Sequence, residues 1–100
     1  MKIIACHLNA DFDCLGSLVG AKKLYPDAVA VMPGSAEKPV RQFIERFHPV
    51  DILSPSDINL EDVTHMVVVD TSTPERLGPL KSLLENQNVK VHLYDHHSPE

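Results

Sequence analysis

Three groups of histidine and aspartate residues in this chain have the side chains that bind divalent metal ions. They are residues 7–13 (HLNADFD), Asp70 after the apolar run at residues 66–69 (MVVV), and residues 95–97 (DHH). Each group directly follows an apolar segment that reads as a β-strand. Four carboxylates and three imidazoles gathered in one place would be electrostatically unfavourable without cations. The pattern therefore indicates a site for two divalent metal ions.

The ligand types limit both the metal and the reaction. Imidazole and carboxylate ligands suit manganese, iron, cobalt or zinc better than calcium. Two such ions roughly 3.5–4 Å apart can hold a phosphate between them and activate a water molecule for in-line attack. No serine or cysteine lies beside a base as a nucleophile would, which is consistent with water as the attacking group.

The apolar runs alternate with helical patterns, which predicts an α/β domain with a mostly parallel sheet and helices on both faces. Strands are expected at residues 3–7, 28–32, 51–53, 65–70 and 89–94. Helices are expected at residues 13–25, 36–47 and 73–85. In an open parallel sheet, ligands bind beyond the carboxyl ends of the strands. The three metal-binding groups should therefore meet at one edge of the sheet.

Each residue of the pattern also has an ordinary structural explanation. A single aspartate after a strand usually forms a turn or a helix cap, and Asp13 is well placed to cap the helix after it. His48, His65 and His92 lie outside the pattern and read as structural or solvated. The two cysteines, at positions 6 and 14, fit neither a disulfide framework nor a C-x-x-C metal site and read as buried thiols. The three groups together are much harder to explain in this way.

Length and charge exclude several classes of protein. One hundred residues make at most one domain, and 43% are apolar, enough for a hydrophobic core. A formal net charge of −5 argues against a domain that grips nucleic acid through a basic surface. There is no apolar run of membrane-spanning length and no signal peptide, so no membrane partner and a cytoplasmic location are expected.

The motifs resemble those of the DHH phosphoesterases over essentially the whole chain. The run His7-x-Asn9-x-Asp11-x-Asp13, with Gly16-Ser17 after it, resembles motif I, and Val68-Val69-Asp70 resembles motif II. Asp95-His96-His97 is the motif that names the family. RecJ-type exonucleases, family II inorganic pyrophosphatases, oligoribonucleases and cyclic-dinucleotide phosphodiesterases belong to it. The resemblance implies a Rossmann-like DHH domain that hydrolyses phosphate esters with two divalent metal ions, manganese being expected.

The resemblance also assigns roles to individual residues. His7, Asp11 and Asp70 would hold one metal ion, while Asp13, His96 and the bridging Asp70 would hold the second. Among the catalytic residues, His97 would lie nearer the phosphate as an electrostatic stabiliser or acid. Asp95 would orient a histidine, and Asn9 would brace the loop.

One subgroup is most similar to this chain: the DHH module at the front of tRNA nucleotidyltransferase/poly(A) polymerase-like proteins. The similarity rests on residues 7–13, 21–26 (AKKLYP) and 33–35 (PGS). The family pattern has a further aspartate ligand and a basic substrate-binding domain, both of which would lie beyond Glu100. Residues 1–100 are therefore expected to be the N-terminal part of a truncated DHH domain, with little or no turnover alone.

Three functions are weighed on this basis. The first is a phosphoesterase module acting on a phosphate-ester substrate, either a nucleotide or an RNA end, together with C-terminal domains of the parent chain. The alternative is a non-catalytic module that binds metal or a nucleotide within a tRNA nucleotidyltransferase/poly(A) polymerase-like protein. A phosphoacceptor receiver domain would need a lysine where residues 95–97 stand. A homo-oligomer is compatible with the sequence.

Overall fold

A computed structural model describes residues 1–94 and contains one five-stranded sheet in the order β3-β2-β1-β4-β5. Every neighbouring pair of strands is parallel. The strands are β1 (Lys2–Ala5), β2 (Val29–Val31), β3 (Ile52–Leu53), β4 (His65–Val69) and β5 (Lys90–Tyr94). The prediction of an α/β fold built on a parallel sheet is confirmed.

Two α-helices cover one face of this sheet. They are α1 (Phe12–Leu24) and α2 (Lys38–Phe47). Alternate residues of a strand point to opposite faces. Ile4 of β1 and Val67 of β4 accordingly pack with Leu18 of α1 and Val40 of α2 in one apolar cluster.

The opposite face is covered by Pro74–Glu85, which forms 3₁₀ turns rather than the predicted α-helix. A kink divides this segment at Gly78, whose φ is 55° and ψ is −129°. The following Pro79 has no N–H to donate, so a continuous α-helix cannot form there. The segment still buries three leucines against Ile3, Ala5, Met66 and Val68, namely Leu77, Leu80 and Leu83. Both faces of the sheet are thus covered.

The chain returns from β3 to β4 through two 3₁₀ turns, Pro55–Asp57 and Leu60–Asp62. This crossover places β4 beside β1, in the middle of the sheet. Among residues 1–94, no helix is both long and apolar enough to span a bilayer.

The register between β1 and β4 brings the first two of the three metal-binding groups together. Ala5 is paired with Val68. Counting two residues further along each strand places His7 opposite Asp70, just past the carboxyl edge of the sheet. The parallel arrangement of the two strands therefore gives the proximity that the sequence predicts.

Candidate metal centre

His7 and Asp70 form the buried centre of the site. Nε2 of His7 lies 3.0 Å from Oδ2 of Asp70, although 63 residues separate them in sequence. Both side chains are almost completely buried, with 2% and 4% of their surfaces exposed. A buried carboxylate needs a partner that offsets its charge. A proton or a metal ion between these two atoms would meet that need.

The backbone at two motif positions adopts the left-handed conformation. Asn9 has a φ of 54° and Asp70 has a φ of 64°. Asparagine and aspartate tolerate this region better than other residues with a side chain. At Asp70 the conformation ends β4 directly after Val69, while the backbone N–H of Asp70 still donates to the carbonyl of Tyr94 at 3.0 Å. Unusual backbone geometry of this kind is often found at functional sites.

Asp11 both begins α1 and faces His7. Its Oδ1 accepts a hydrogen bond from the backbone N–H of Cys14 at 2.9 Å, which caps the helix. The same oxygen lies 4.0 Å from Nε2 of His7. The expectation that Asp13 caps this helix is wrong, because Asp11 is the cap residue and Asp13 lies inside the first turn.

Two groups compete for Nδ1 of His7. The carbonyl oxygen of Leu8 lies 2.7 Å from Nδ1, and Nη2 of Arg76 lies 2.8 Å from it. A carbonyl accepts and a guanidinium donates, so the first contact needs a proton on Nδ1 and the second needs a lone pair there. With the proton on Nδ1, the lone pair of Nε2 faces Asp70, the arrangement that a metal-binding histidine requires.

The loop after β1 is held in place by close contacts of Leu8. Its backbone N–H donates to the carbonyl of Arg76 at 2.7 Å. A Cβ atom at Gly34 would lie 2.7 Å from Cδ2 of Leu8, and one at Gly78 would lie 3.1 Å from it. Gly78 also has a positive φ, which a larger residue adopts only under strain. Two distant segments therefore fix the residue that follows His7.

Two residues at the site were not assigned to it from the sequence. One is Arg76, described above, which occupies an unremarkable position in a predicted helix. The other is Cys14, whose sulfur lies with donor atoms of His7 and Asp70 in a group where all three are within 4.8 Å of one another. Both cysteines are buried thiols, as expected. A hydrogen bond with Cys14, and then burial, raises the pKa of the Cys6 thiol well above its ordinary value.

A cleft of about 740 Å³ opens beside this centre, between α1 and the ends of β4 and β5. Asp13 and Asp70 both line it, and so do Gly16 and Ser17 of the first motif. At its far end the hydroxyls of Tyr25 and Tyr94 are 2.8 Å apart, and this hydrogen bond raises the pKa of Tyr25. The exposed Asp13 thus faces the cleft and is not part of the buried group of His7, Cys14 and Asp70.

The third metal-binding group and the remaining histidines lie elsewhere in the chain. Asp95, His96 and His97 lie outside the described residues, so their predicted roles stay predictions. His48 ends α2, His65 begins β4 and His92 is in the exposed strand β5. Burial and the neighbouring Lys2 lower the pKa of His65, which lies at the opposite edge of the sheet from the site.

Comparison with known proteins identifies the family. The model of the DHH family, N-terminal domain, matches residues 2–100. The chain belongs to the DHH family. A-adding tRNA nucleotidyltransferase of Geobacter sulfurreducens is 40% identical to it over 99 residues, 97% of this chain. The chain spans 11% of the length of that curated relative. No solved structure shows a significant match.

These findings confirm the resemblance to the DHH family and to its tRNA nucleotidyltransferase-like subgroup. They also confirm the Rossmann-like α/β fold. DHH proteins generally depend on divalent metal ions. The nitrogen, oxygen and sulfur donors of His7, Asp70 and Cys14 are buried side by side, and this donor set fits a divalent transition metal.

Proposed function

We propose that this DHH module binds two divalent metal ions and hydrolyses phosphate esters of nucleotides or RNA ends. The contact between His7 and Asp70 carries the proposal. It joins two motifs 63 residues apart at 3.0 Å, in a buried position beside an open cleft. A structural ion pair would not require the left-handed backbone at Asp70 or the neighbouring carboxylate of Asp11.

The residues that the structure describes have different roles in the proposed site. His7, Asp11 and Asp70 would hold the first cation, and the Leu8 carbonyl would then accept the proton of His7 Nδ1. Asp13 reaches into the cleft, where a second cation would be shared with Asp70. Bound divalent ions would lower the pKa of a water molecule and offset the charge of the phosphate. Manganese is the ion expected from the resemblance.

The residues after β5 complete the proposed site. Asp70 follows β4, and Asp95 follows the neighbouring β5 in the same way along the sequence. By the family resemblance, His96 would be the remaining ligand of the second ion. His97 would stabilise or protonate the phosphate, and Asp95 would orient a histidine.

The cleft supports a nucleotide-sized substrate. Its volume of about 740 Å³ falls within the usual range for small-molecule sites. Phe12 and Tyr94 provide aromatic surface on the wall of the cleft, which suits a nucleobase. Asp13 and Asp70 line the part of the cleft where the metal ions would bind. The curated relative is an A-adding tRNA nucleotidyltransferase. We propose that this module likewise serves a longer protein that processes RNA, with the other domains of that protein as its partners.

Hydrolysis of a chromogenic phosphodiester and of short RNA tests the proposal. Wild type, Asp70→Asn and His97→Ala are each assayed with manganese, cobalt or zinc at saturation. Little or no turnover is expected of residues 1–100 alone, and both substitutions should abolish whatever turnover there is. Metal binding without turnover on any substrate, both in these residues and in the parent chain, would overturn the hydrolase and favour the alternative, a metal- or nucleotide-binding module. Absence of both metal and nucleotide binding would overturn both.

A further inference from the structure

Cys14 is a buried thiol beside the proposed metal centre. It lies in the first turn of α1, fully buried, and its backbone N–H is fixed by the carboxylate of Asp11. Its sulfur and the donor atoms of His7 and Asp70 lie within 4.8 Å of one another. The two other side chains are themselves more than nine-tenths buried and meet at this point.

We propose that the sulfur of Cys14 is a ligand of the metal ion held by His7 and Asp70. This rests on the proposed metal site and adds a thiolate to its nitrogen and oxygen ligands. Thiolate ligands select zinc, cobalt or iron(II), whereas manganese prefers oxygen and nitrogen. The ion beside His7 is accordingly a metal that binds sulfur, and manganese should bind at this position more weakly than zinc, cobalt or iron(II).

Charge balance supports the assignment. Among the buried donors, neutral His7, the Asp70 carboxylate and a Cys14 thiolate carry two negative charges, which a divalent cation neutralises. The Asp11 side chain is 45% exposed, so water also solvates the charge of its carboxylate. A neutral group is the arrangement that costs least in a buried place. On binding, the thiol releases its proton to solvent and the sulfur keeps the electron pair that it donates to the metal.

Cys6 provides a matched control within the same chain. It is also fully buried, and its sulfur lies 3.8 Å from the carbonyl oxygen of His7. It nevertheless does not belong to the donor group formed by His7, Cys14 and Asp70. A general effect of losing a buried thiol should therefore occur in both cysteine variants, whereas loss of a ligand should occur in one.

Cobalt spectroscopy tests the assignment directly. Wild type, Cys6→Ala and Cys14→Ala are titrated with Co²⁺ under reducing conditions, and circular dichroism verifies folding. A strong near-ultraviolet sulfur-to-cobalt charge-transfer band is expected in wild type and Cys6→Ala. Cys14→Ala should keep the visible ligand-field bands and lose the charge-transfer band. Its preference for Zn²⁺ over Mn²⁺, measured by competition, should fall at least tenfold.

The outcomes separate this inference from the proposed function. Ligand-field bands without charge transfer in wild type would overturn the thiolate ligand and leave the metal site standing. Loss of the band in Cys6→Ala alone would also overturn it. No cobalt binding by any protein would overturn the metal site as well. If Cys14→Ala does not fold, the alkylation rates of Cys14 and Cys6 in wild type, measured by mass spectrometry with and without Zn²⁺, decide the question, since both thiols are buried. Slower alkylation of Cys14 than of Cys6 on adding Zn²⁺ supports the ligand, and an equal change in both overturns it.

Discussion

Arg76 places its guanidinium 2.8 Å from Nδ1 of His7, whereas Asp70 faces the other ring nitrogen, Nε2, at 3.0 Å. The imidazole therefore has a cation on one edge and an anion on the other. Arg76 donates to Nδ1 only while that atom has a free lone pair, and the proton is then on Nε2. Metal binding through Nε2 would move the proton to Nδ1 and free the guanidinium from this contact. The ring thus links metal binding to the position of Arg76.

Replacement of Arg76 should tighten metal binding. In Arg76→Gln the positive charge beside the metal centre is lost, and its competition for Nδ1 is weakened. We expect the affinity for Zn²⁺ or Mn²⁺ to rise roughly three- to tenfold at low salt, because this exposed side chain interacts through a high effective dielectric. The difference should shrink at high ionic strength. Calorimetric titration measures both, with Lys81→Gln on the same segment as the control. Weaker binding by Arg76→Gln would mean that Arg76 instead holds His7 in its binding orientation.

Metal should stabilise the fold through Asp70. A metal that binds only the folded chain, at a hundred times its dissociation constant, adds about 2.7 kcal/mol. For a domain of this size that corresponds to a rise in Tm of roughly 10–20 °C. Asp70→Asn should lose most of this rise while folding without metal, because asparagine also tolerates the left-handed backbone at this position.

Thermal melts with metal and with a chelator measure this difference. Asp51→Asn is the control, since Asp51 is exposed and precedes β3 at the opposite edge of the sheet. A full metal response in Asp70→Asn would remove Asp70 from the site.

Two substitutions at Asp11 separate its roles as helix cap and metal ligand. Asp11→Ala should lose about 1 kcal/mol of stability, whereas Asp11→Asn should lose only a few tenths, because asparagine is an equally good cap. Both should weaken metal binding, since both remove the carboxylate near Nε2 of His7. Chemical denaturation in chelator gives the first quantity and titration the second. Unchanged metal affinity in Asp11→Asn would leave Asp11 as a cap alone.

Filling the cleft should weaken substrate binding without harming the fold. Gly20 is inside α1, lines the cleft, and has nothing within 4 Å of an added Cβ atom. Gly20→Leu should therefore stabilise the helix by up to about 0.8 kcal/mol, as leucine has the higher helix propensity. Binding of adenosine 5′-monophosphate in the presence of metal should weaken at least tenfold. Lys23→Leu, exposed on α1 away from the cleft, is the control. Equal affinity in both variants would place the substrate elsewhere.

The pattern of residues was sufficient to predict most of the elements. The continuous apolar run at residues 66–69 predicts a buried central strand, and β4 lies between β1 and β5. The leucine spacing at residues 73–85 predicts a helix, whereas the structure buries those leucines in 3₁₀ turns. The leucine spacing indicates which side of the segment is buried. The backbone conformation at Gly78 depends instead on a tertiary neighbour, the side chain of Leu8.

The sequence by itself determined that His7, Asp11 and Asp70 follow strands, and that parallel strands bring such residues to one edge. Only the tertiary structure decided which atoms meet there. The β1–β4 register sets the His7–Asp70 contact, and the 3₁₀ segment carries Arg76 to Nδ1. The first turn of α1 directs Asp11 to the cap and Cys14 into the donor group. Side-chain neighbours of this kind depend on the register of the strands, and a shift of one residue changes them. Because β1 and β4 are buried on both faces, their sequences have no alternation of polar and apolar residues that would specify this register.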